Sequence, residues 1–332
     1  MLLAAILLAS AALPAVDLEV RGMTISCQTW GREWATDGFA TELDELSTLG
    51  VNWVAIHPYA RIGADGAVTW RALDPAAPPD WIARPIREAH ARGLSILVIP
   101  HLAHWGSPFD HRGAIAFEDE AAWQRFFRSY TEWITTVAAC ARDADAFAVG
   151  SELGGTTHRT DPWRGVVAGV RRVTAAKLVY SANWDECERV GFWDALDAVG
   201  VQAYFPLSVV DDPDRDALRA GWKDVVRRLA RVHARTGKPV VLTELGYNLS
   251  LDAARLPWDH RQAAGADVER ARALQARCYD VALETLGAER EWLRGAFLWK
   301  WFVGDARANF LVDRPNVRAV LGAHWSPSEP SR

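Results

Sequence analysis

One pattern constrains the fold of this chain more than any other: short apolar segments alternate with amphipathic ones along almost its whole length. The apolar segments are hydrophobic at successive positions, which is typical of strands buried on both faces of a parallel sheet. Their alternation with helices indicates parallel βαβ units. Eight strands are predicted, at residues 23–28, 52–60, 94–102, 146–153, 177–184, 198–205, 239–247 and 293–302.

The segments between the strands predict the helices. Long helices are expected at residues 39–50, 80–93, 119–141, 162–176, 214–237 and 267–287, with short ones near 192–197 and 316–322. Pro85 is expected to delay the start of the second helix. Eight units in roughly 300 residues fit a closed (β/α)₈ barrel better than an open doubly wound sheet. The absence of a glycine-rich nucleotide fingerprint after the first strand agrees. We therefore predict an α/β fold, a single TIM barrel over residues 20–325.

The two ends of the chain do not follow the alternating pattern of strands and helices. Residues 1–15, MLLAAILLASAALPA, are apolar and rich in small side chains, and they predict a signal peptide and hence a secreted or periplasmic protein. They contain no Lys or Arg, so an uncleaved N-terminal anchor and a misassigned start codon stay open. No later segment is long and apolar enough to span a membrane. The tail SPSEPSR, residues 326–332, is predicted to be disordered.

Charge and ligand patterns exclude several classes of function. The net charge is −5, from 37 basic and 42 acidic residues, and no cluster of Lys or Arg predicts nucleic-acid binding. The four cysteines are far apart and predict buried free thiols, although one disulfide stays possible in an exported chain. His101 and His104 lack a third ligand close by, so no metal site is predicted, and no cofactor is expected. A monomer is expected.

The active site of such a barrel lies at the carboxyl ends of its strands. The chain places aromatic, amide and imidazole side chains there, together with two carboxylates. The 17 Trp residues outnumber both Phe and Tyr, and indole faces suit the apolar faces of sugar rings. The strand-end candidates are Gln28, Trp30, His57, Tyr59, His101, His104, Trp105, Glu152, Asn183, Trp184, Tyr204, Glu244, Tyr247, Trp299 and Trp301.

Two glutamates stand out among these candidates. Glu152 in VGSELGG and Glu244 in PVVLTELGY each end an apolar run, where a charge is costly unless it is paired or used. Their strands, the fourth and the seventh, face each other across the barrel mouth. Two carboxyl groups that converge to about 5 Å are what a retaining glycosidase requires. The pattern therefore predicts glycoside hydrolysis.

Four segments carry a more specific resemblance: RGMTISCQTWG, VGVQAYFPLS, TELGY and FLWKWF. Over residues 20–325 the chain resembles the family 113 β-mannanases, members of the retaining (β/α)₈-barrel clan. The resemblance implies that Glu152 is the acid/base, that Glu244 is the nucleophile and that Tyr204 hydrogen-bonds the nucleophile. It also implies that Trp299 stacks on the sugar at the cleavage point, and that the substrate is a β-1,4-linked mannan or a related mannose-containing glycan.

One residue departs from the clan. Ser151 stands where much of the clan has an asparagine that hydrogen-bonds the sugar 2-hydroxyl. His101 or Asn183 is expected to take over that contact, and Trp30, Tyr59 and Trp105 are further candidates for substrate binding. Strand alternation predicts Trp299 and Trp301 on one face of the last strand and Lys300 on the other.

Several alternatives stay open. Trp34 and Trp184 are as readily core residues as sugar contacts, and Asp185 and Glu186 are expected to be surface or loop residues. The same mechanism serves a galactanase, a glucanase or an enzyme of short oligosaccharides. A non-catalytic carbohydrate-binding barrel is a third hypothesis, which the two strand-end glutamates disfavour because a binding protein needs no proton donor.

Overall fold

The computed structural model describes residues 19–306 and 308–325. The predicted signal peptide and the predicted C-terminal tail lie outside these residues.

Eleven strands are present in this part of the chain. They are β1 (Val20–Ser26), β2 (Trp53–Ile56), β3 (Tyr59–Ile62), β4 (Val68–Thr69), β5 (Ser95–Val98), β6 (His101–Ala103), β7 (Ala146–Ser151), β8 (Lys177–Asn183), β9 (Ala198–Gln202), β10 (Val240–Leu245) and β11 (Leu293–Phe302). Eight of them close into a parallel barrel in the order β1-β2-β5-β7-β8-β9-β10-β11, with β11 paired to β1. The predicted single (β/α)₈ barrel is confirmed.

Seven α-helices surround the barrel. They are α1 (Asp37–Thr48), α2 (Asp80–Ala91), α3 (Glu120–Cys140), α4 (Thr160–Arg171), α5 (Arg215–Thr236), α6 (Val268–Ala288) and α7 (Pro315–Trp325). The short helix expected near 192–197 is only a 3₁₀ turn, Trp193–Ala195. The expected delay at Pro85 is wrong, because α2 begins at Asp80 and contains Pro85. A proline this early in a helix costs one hydrogen bond, to a carbonyl of the first turn.

Two predicted strands are each divided in the structure. Residues 52–60 form β2 and β3, and residues 94–102 form β5 and β6. Pro58 and Pro100 lie at the two breaks, where a residue without a backbone N–H cannot continue the barrel ladder. Beyond the breaks, β3 pairs with β4 and β6 in a separate three-stranded sheet above the barrel mouth.

Large aromatic side chains fill the core. Trp53, Trp123, Trp133 and Trp222 are all buried. Trp34 is also fully buried, and its indole N–H donates to the carbonyl of Ile25 at 3.0 Å, so it is a core residue and not a sugar contact.

The remaining global expectations concern cysteines and membrane spans. All four cysteines are free thiols; Cys140, Cys187 and Cys278 are buried and Cys27 is partly buried. Across residues 19–306 and 308–325, no helix has the length and apolar character needed to cross a bilayer.

Candidate active site

Glu244 lies at the end of β10, buried in the barrel mouth with 4% of its surface exposed. The hydroxyl of Tyr204 donates to its Oε2 at 2.9 Å, and the amide of Gln202 donates to its Oε1 at 3.1 Å. The Nε2 atom of His101 is 3.8 Å from the same Oε1. Both carboxylate oxygens therefore have a donor, which stabilises the ionised form.

Gln202 connects this carboxylate to the other side of the site. Its Nε2 also donates to Oγ of Ser151 at 2.9 Å, and Ser151 is the residue before Glu152. Sequence analysis missed Gln202. The signal was present, because Gln202 lies two positions before Tyr204 and strand alternation places both on one face.

Glu152 follows directly on β7 and has a left-handed backbone, with φ of 55°. This conformation costs a non-glycine residue about 1–2 kcal/mol. The backbone N–H of Glu152 donates to the carbonyl of Ser181 at 2.9 Å. Its carboxylate accepts from Nη1 of Arg112 at 2.6 Å, and this side chain remains 23% exposed. Glu152 is thus held in an unfavourable backbone state at the solvent-accessible edge of the site.

A buried hydrogen-bond chain supports the backbone behind Glu152. The N–H of Leu153 donates to the hydroxyl of Tyr180 at 2.9 Å, and that hydroxyl donates to Oε1 of Glu186 at 2.9 Å. The N–H of Asn183 donates to the same Oε1 at 3.0 Å. Glu186 is only 3% exposed, so it is not a surface residue, although it does lie in the turn after β8 as expected.

The glycine of VGSELGG at position 154 belongs to this chain of contacts. A Cβ atom at Gly154 would lie 2.0 Å from Oε2 of Glu186, a separation that no side chain tolerates. The motif therefore combines a glutamate in the site with a glycine that leaves room for the carboxylate behind it.

The negative charge of Glu152 acts on two more deeply buried carboxyl groups, Glu244 and Glu186. Burial first, and then the negative charge of Glu152, raise the pKa of Glu244 to about 8, against the lowering effects of Arg112, Tyr204 and Gln202. Burial is also the largest cause that raises the pKa of Glu186 to about 7. Glu152 and Glu244 therefore act on each other electrostatically, as two carboxyl groups sharing one site do.

An aromatic surface flanks this pair. The rings of Trp30, Tyr59 and Trp105 contact one another, with centroids 5.1–6.0 Å apart. Tyr59 also contacts His101, at 5.7 Å between centroids. Trp105 is 49% exposed, so the surface runs from solvent to the buried carboxylate. Three of the predicted substrate-binding residues thus lie together beside Glu244.

Trp299, on β11 next to β1, extends this surface. Its ring lies 5.4 Å from that of His57 and 6.4 Å from that of His101, and the two imidazoles stack at 5.1 Å. Burial lowers the pKa of His57 to about 3 and that of His101 far below its usual value, so both rings are neutral. Neither ring nitrogen of His101 has a hydrogen-bond partner among the described residues.

One expectation about Trp299 and its neighbours is not met. Trp299 and Trp301 do not share a face: Trp301 is buried and donates to Glu42 of α1 at 2.7 Å, whereas Nζ of Lys300 lies 5.2 Å from the Trp299 ring. Alternation is interrupted at the cis peptide bond between Trp299 and Lys300. Asn183 ends β8 as predicted, and its Oδ1 accepts the N–H of Trp184 at 3.0 Å.

The site contains oxygen and aromatic groups rather than a metal-ligand set. Within residues 19–306 and 308–325, no group of three or more His, Cys, Asp or Glu side chains is placed to hold a metal ion.

The fold is a parallel (β/α)₈ barrel, and its mouth holds interacting carboxyl groups and an aromatic surface. These features define a class, the barrel enzymes that act on carbohydrates. Comparison with known families makes the class specific. The sequence profile of Glycoside Hydrolase Family 113 matches residues 23–309, and the chain belongs to this family. It is a glycoside hydrolase, and its substrate is a carbohydrate.

Solved structures agree with this assignment. A β-1,4-mannanase of family 113 in a complex structure superposes with a TM-score of 0.78 at 22% identity, covering 93% of this chain and 99% of its own. The family 113 β-mannanase from Alicyclobacillus acidocaldarius, in complex with ManMIm, gives 0.76 at 25% identity over 92% and 96% of the two chains. No curated protein sequence matches the chain.

Proposed function

We propose that this glycoside hydrolase is a retaining endo-β-1,4-mannanase that cleaves mannan-type polysaccharide by double displacement. The observation that carries the proposal is the state of Glu244: a buried carboxylate with a donor on each oxygen, whose pKa responds to the charge of Glu152. Two such carboxyl groups are the chemical requirement of a retaining glycosidase. The similar family 113 structures, a β-1,4-mannanase and a β-mannanase, support mannan as the substrate.

Glu244 is the nucleophile in this proposal. It attacks the anomeric carbon while Glu152 donates a proton to the departing oxygen, which gives a glycosyl-enzyme. The pair must hold one proton, and this proton must lie on Glu152 at the moment of attack. The donors Tyr204 and Gln202 oppose the rise in the pKa of Glu244 that burial and the charge of Glu152 cause, and protonation of Glu152 removes the second of these causes.

The second step reverses the role of Glu152. The esterified Glu244 carries no charge, and the ionised Glu152 takes a proton from the water that hydrolyses the intermediate. The ion pair with Arg112, at 2.6 Å, suits this step because it stabilises the carboxylate form that a general base requires.

The sugar at the cleavage point is proposed to lie on Trp299, with Trp30, Tyr59 and Trp105 extending the binding surface. The unpartnered ring nitrogens of His101 are available for a sugar hydroxyl. Because both imidazoles in the site are neutral, each ring offers one donor and one acceptor. Gln202 donates to Oγ of Ser151, the residue that stands where much of the clan has its asparagine, and we propose its amide as a further partner for the sugar 2-hydroxyl.

The decisive experiment uses Glu152→Ala and Glu244→Ala on β-mannan and on manno-oligosaccharides. Each variant is expected to lose nearly all hydrolysis while it keeps its fold, and azide is expected to rescue Glu244→Ala with inverted product stereochemistry. The matched control is Glu132→Ala, on the outer face of α3. Wild-type turnover in either active-site variant excludes the mechanism.

The same substrates separate the alternatives. Hydrolysis of galactan or glucan in preference to mannan keeps the mechanism and changes the sugar, and binding without turnover indicates a carbohydrate-binding barrel. We also propose, from the N-terminal segment, that the enzyme is exported. We propose in addition that it acts as a monomer. Detection of the mature chain outside the cytoplasm, and its mass in solution, test these two points.

A further inference from the structure

We propose that a pocket beside the active site binds a negatively charged saccharide unit, so that the substrate is an acidic rather than a purely neutral glycan. The pocket lies between the β3–β4 hairpin and helices α2 and α3, with a cavity volume of about 320 Å³. The inference rests on the proposed function, since it concerns the glycan that the same cleft holds.

Aromatic side chains form most of the walls. Trp30 and Tyr59 line the side nearest the active site, and Trp70 and Trp81 line the outer side. All four are only partly buried, so part of each side chain is accessible to a ligand. Indole and phenol faces of this kind stack on sugar rings, and a pocket with several of them is shaped for a saccharide rather than for an ion alone.

Two arginines supply all of the charge in the pocket. Arg61 and Arg71 line it, and no Asp or Glu side chain does. Neither arginine has an ion-pair partner within residues 19–306 and 308–325, and both are exposed. The guanidinium carbon of Arg61 lies 4.8 Å from the centroid of the Trp30 ring, which holds it over the wall of the pocket. Guanidinium groups bind carboxylates with two parallel hydrogen bonds.

The hairpin connects this pocket to the carboxylate pair. Tyr59 pairs in register with His101, which lies 3.8 Å from Glu244, and Arg61 pairs with Thr69 on the pocket side. Tyr59 and Arg61 share a face of β3 and are about 6.6 Å apart along the strand, about the length of one sugar unit. The pocket therefore takes a unit next to the one at the cleavage point.

A neutral sugar would leave both guanidinium groups without an anionic partner. A uronic acid, or a mannose unit that carries another carboxylate, satisfies them and still stacks on the indoles. The net charge of the protein is −5, so it repels an acidic polysaccharide overall. The positive charges of Arg61 and Arg71 counter that repulsion locally, at the pocket.

The experiment compares three thio-linked β-1,4-mannotrioses, whose linkages resist hydrolysis: a neutral one, and one with a C6 carboxylate at either end unit. Calorimetry on the full-length protein is expected to give tighter binding of one acidic trisaccharide by about ten-fold, the scale of one charge-assisted hydrogen bond. Arg61→Gln and Arg71→Gln are each expected to reduce the ratio of acidic to neutral affinity, and the double variant to abolish the difference between the two ligands. The gain is also expected to shrink as salt is added.

Arg235→Gln, an exposed arginine on α5, is the matched control and is expected to change nothing. Equal affinity of wild type for neutral and acidic trisaccharides overturns the inference, as does a preference that survives the loss of both arginines. Hydrolysis of mannan by wild type is measured in parallel. Mannan cleavage without the acidic preference rejects only the pocket, whereas the acidic preference without mannan cleavage rejects only the proposed mannanase.

Discussion

Among single residues, Arg112 is in a position to act on both glutamates. Its Nη1 is 2.6 Å from Glu152, and its positive charge lowers the pKa of Glu244 against the effects of burial and of Glu152. Without that charge the pKa of Glu244 rises further. Since a nucleophile must be ionised, Arg112→Gln is expected to move the acidic limb of the kcat/KM–pH profile to higher pH.

The pH profile of kcat/KM on a soluble manno-oligosaccharide checks this prediction. Arg125→Gln removes an arginine that pairs with Asp65 on the surface, and the profile of this control is expected to match wild type. An acidic limb that stays in place, or moves to lower pH, in Arg112→Gln would contradict the electrostatic role.

Tyr180 offers a second test, because its hydroxyl supports the backbone beside Glu152. In Tyr180→Phe the buried N–H of Leu153 loses its acceptor, which is expected to cost about 1–3 kcal/mol of the free energy of unfolding. Since Glu152 is then held less firmly in its left-handed conformation, kcat is expected to fall while KM stays unchanged.

Tyr130→Phe is the matched control for this variant. The Tyr130 hydroxyl is also buried and donates to the carbonyl of Val149 in β7, at 2.8 Å, but it does not touch the segment that follows Glu152. Both variants should lose comparable stability in urea unfolding, and only Tyr180→Phe should lose kcat. Equal kcat in the two would mean that the hydroxyl of Tyr180 serves stability alone.

The residues of the candidate site differ in how visible they are in the sequence. Glu152, Glu244 and Tyr204 end apolar runs, where polar groups stand out. Glu186 does not, because it follows β8 in a polar segment and its burial depends on Gly154 and Tyr180, which are distant along the chain. Arg112 lies in a loop, and nothing in its local sequence indicates that it reaches Glu152.

Among the elements, the seam where β11 meets β1 closes the barrel. Gly295 of β11 has φ of 117°, and a Cβ there would lie 2.0 Å from the carbonyl oxygen of Val20. Gly295→Ala must therefore shift the two paired backbones, and it is expected to lower the free energy of unfolding by about 2–4 kcal/mol. Urea unfolding followed by circular dichroism measures the change.

Gly287 of α6 is the natural comparison for that change. It has no atom within 4 Å of a would-be Cβ, and it lies in the last turns of its helix. Gly287→Ala is expected to stabilise the protein by about 0.5–1 kcal/mol through helix propensity. If both substitutions changed stability by similar amounts, the close approach at the barrel seam would carry no cost of its own.

Element types were predictable because each barrel strand is apolar on successive positions, and β11 was placed over its full length, residues 293–302. The division of residues 52–60 and of residues 94–102 into two strands each was not predictable, although Pro58 and Pro100 lie at the breaks. A proline marks where a barrel strand ends, but it does not show whether the residues beyond it form a new strand. The choice depends on β4, which supplies the partner for β3.

Considered as a whole molecule, the protein contains two kinds of buried titratable group with opposite effects on stability. The pKa of His57 is lowered to about 3, and that of His101 is also lowered, from the usual 6.5. These groups bind fewer protons in the folded than in the unfolded protein, so their contribution to stability is lost as the pH falls below about 6.5.

The two glutamates act in the opposite direction. The pKa of Glu186 is raised to about 7 and that of Glu244 to about 8, from the usual 4.5. They bind more protons folded than unfolded, so their contribution is lost as the pH rises above about 4.5.

Between about pH 4.5 and 6.5 the two histidines and the two glutamates oppose each other, and stability is expected to change little. Above pH 6.5 the histidines are neutral in both states, and the glutamates alone lower the stability until they ionise in the folded protein. Below pH 4.5 only the histidines act, and stability falls again. The melting temperature measured by calorimetry should therefore form a plateau between these limits.

Glu186→Gln removes one of the two groups responsible for the alkaline decline, so its melting temperature should fall less steeply between pH 6.5 and 8 than that of wild type. A melting temperature that rises steadily through pH 8 in wild type would mean that neither glutamate keeps its proton in the folded barrel.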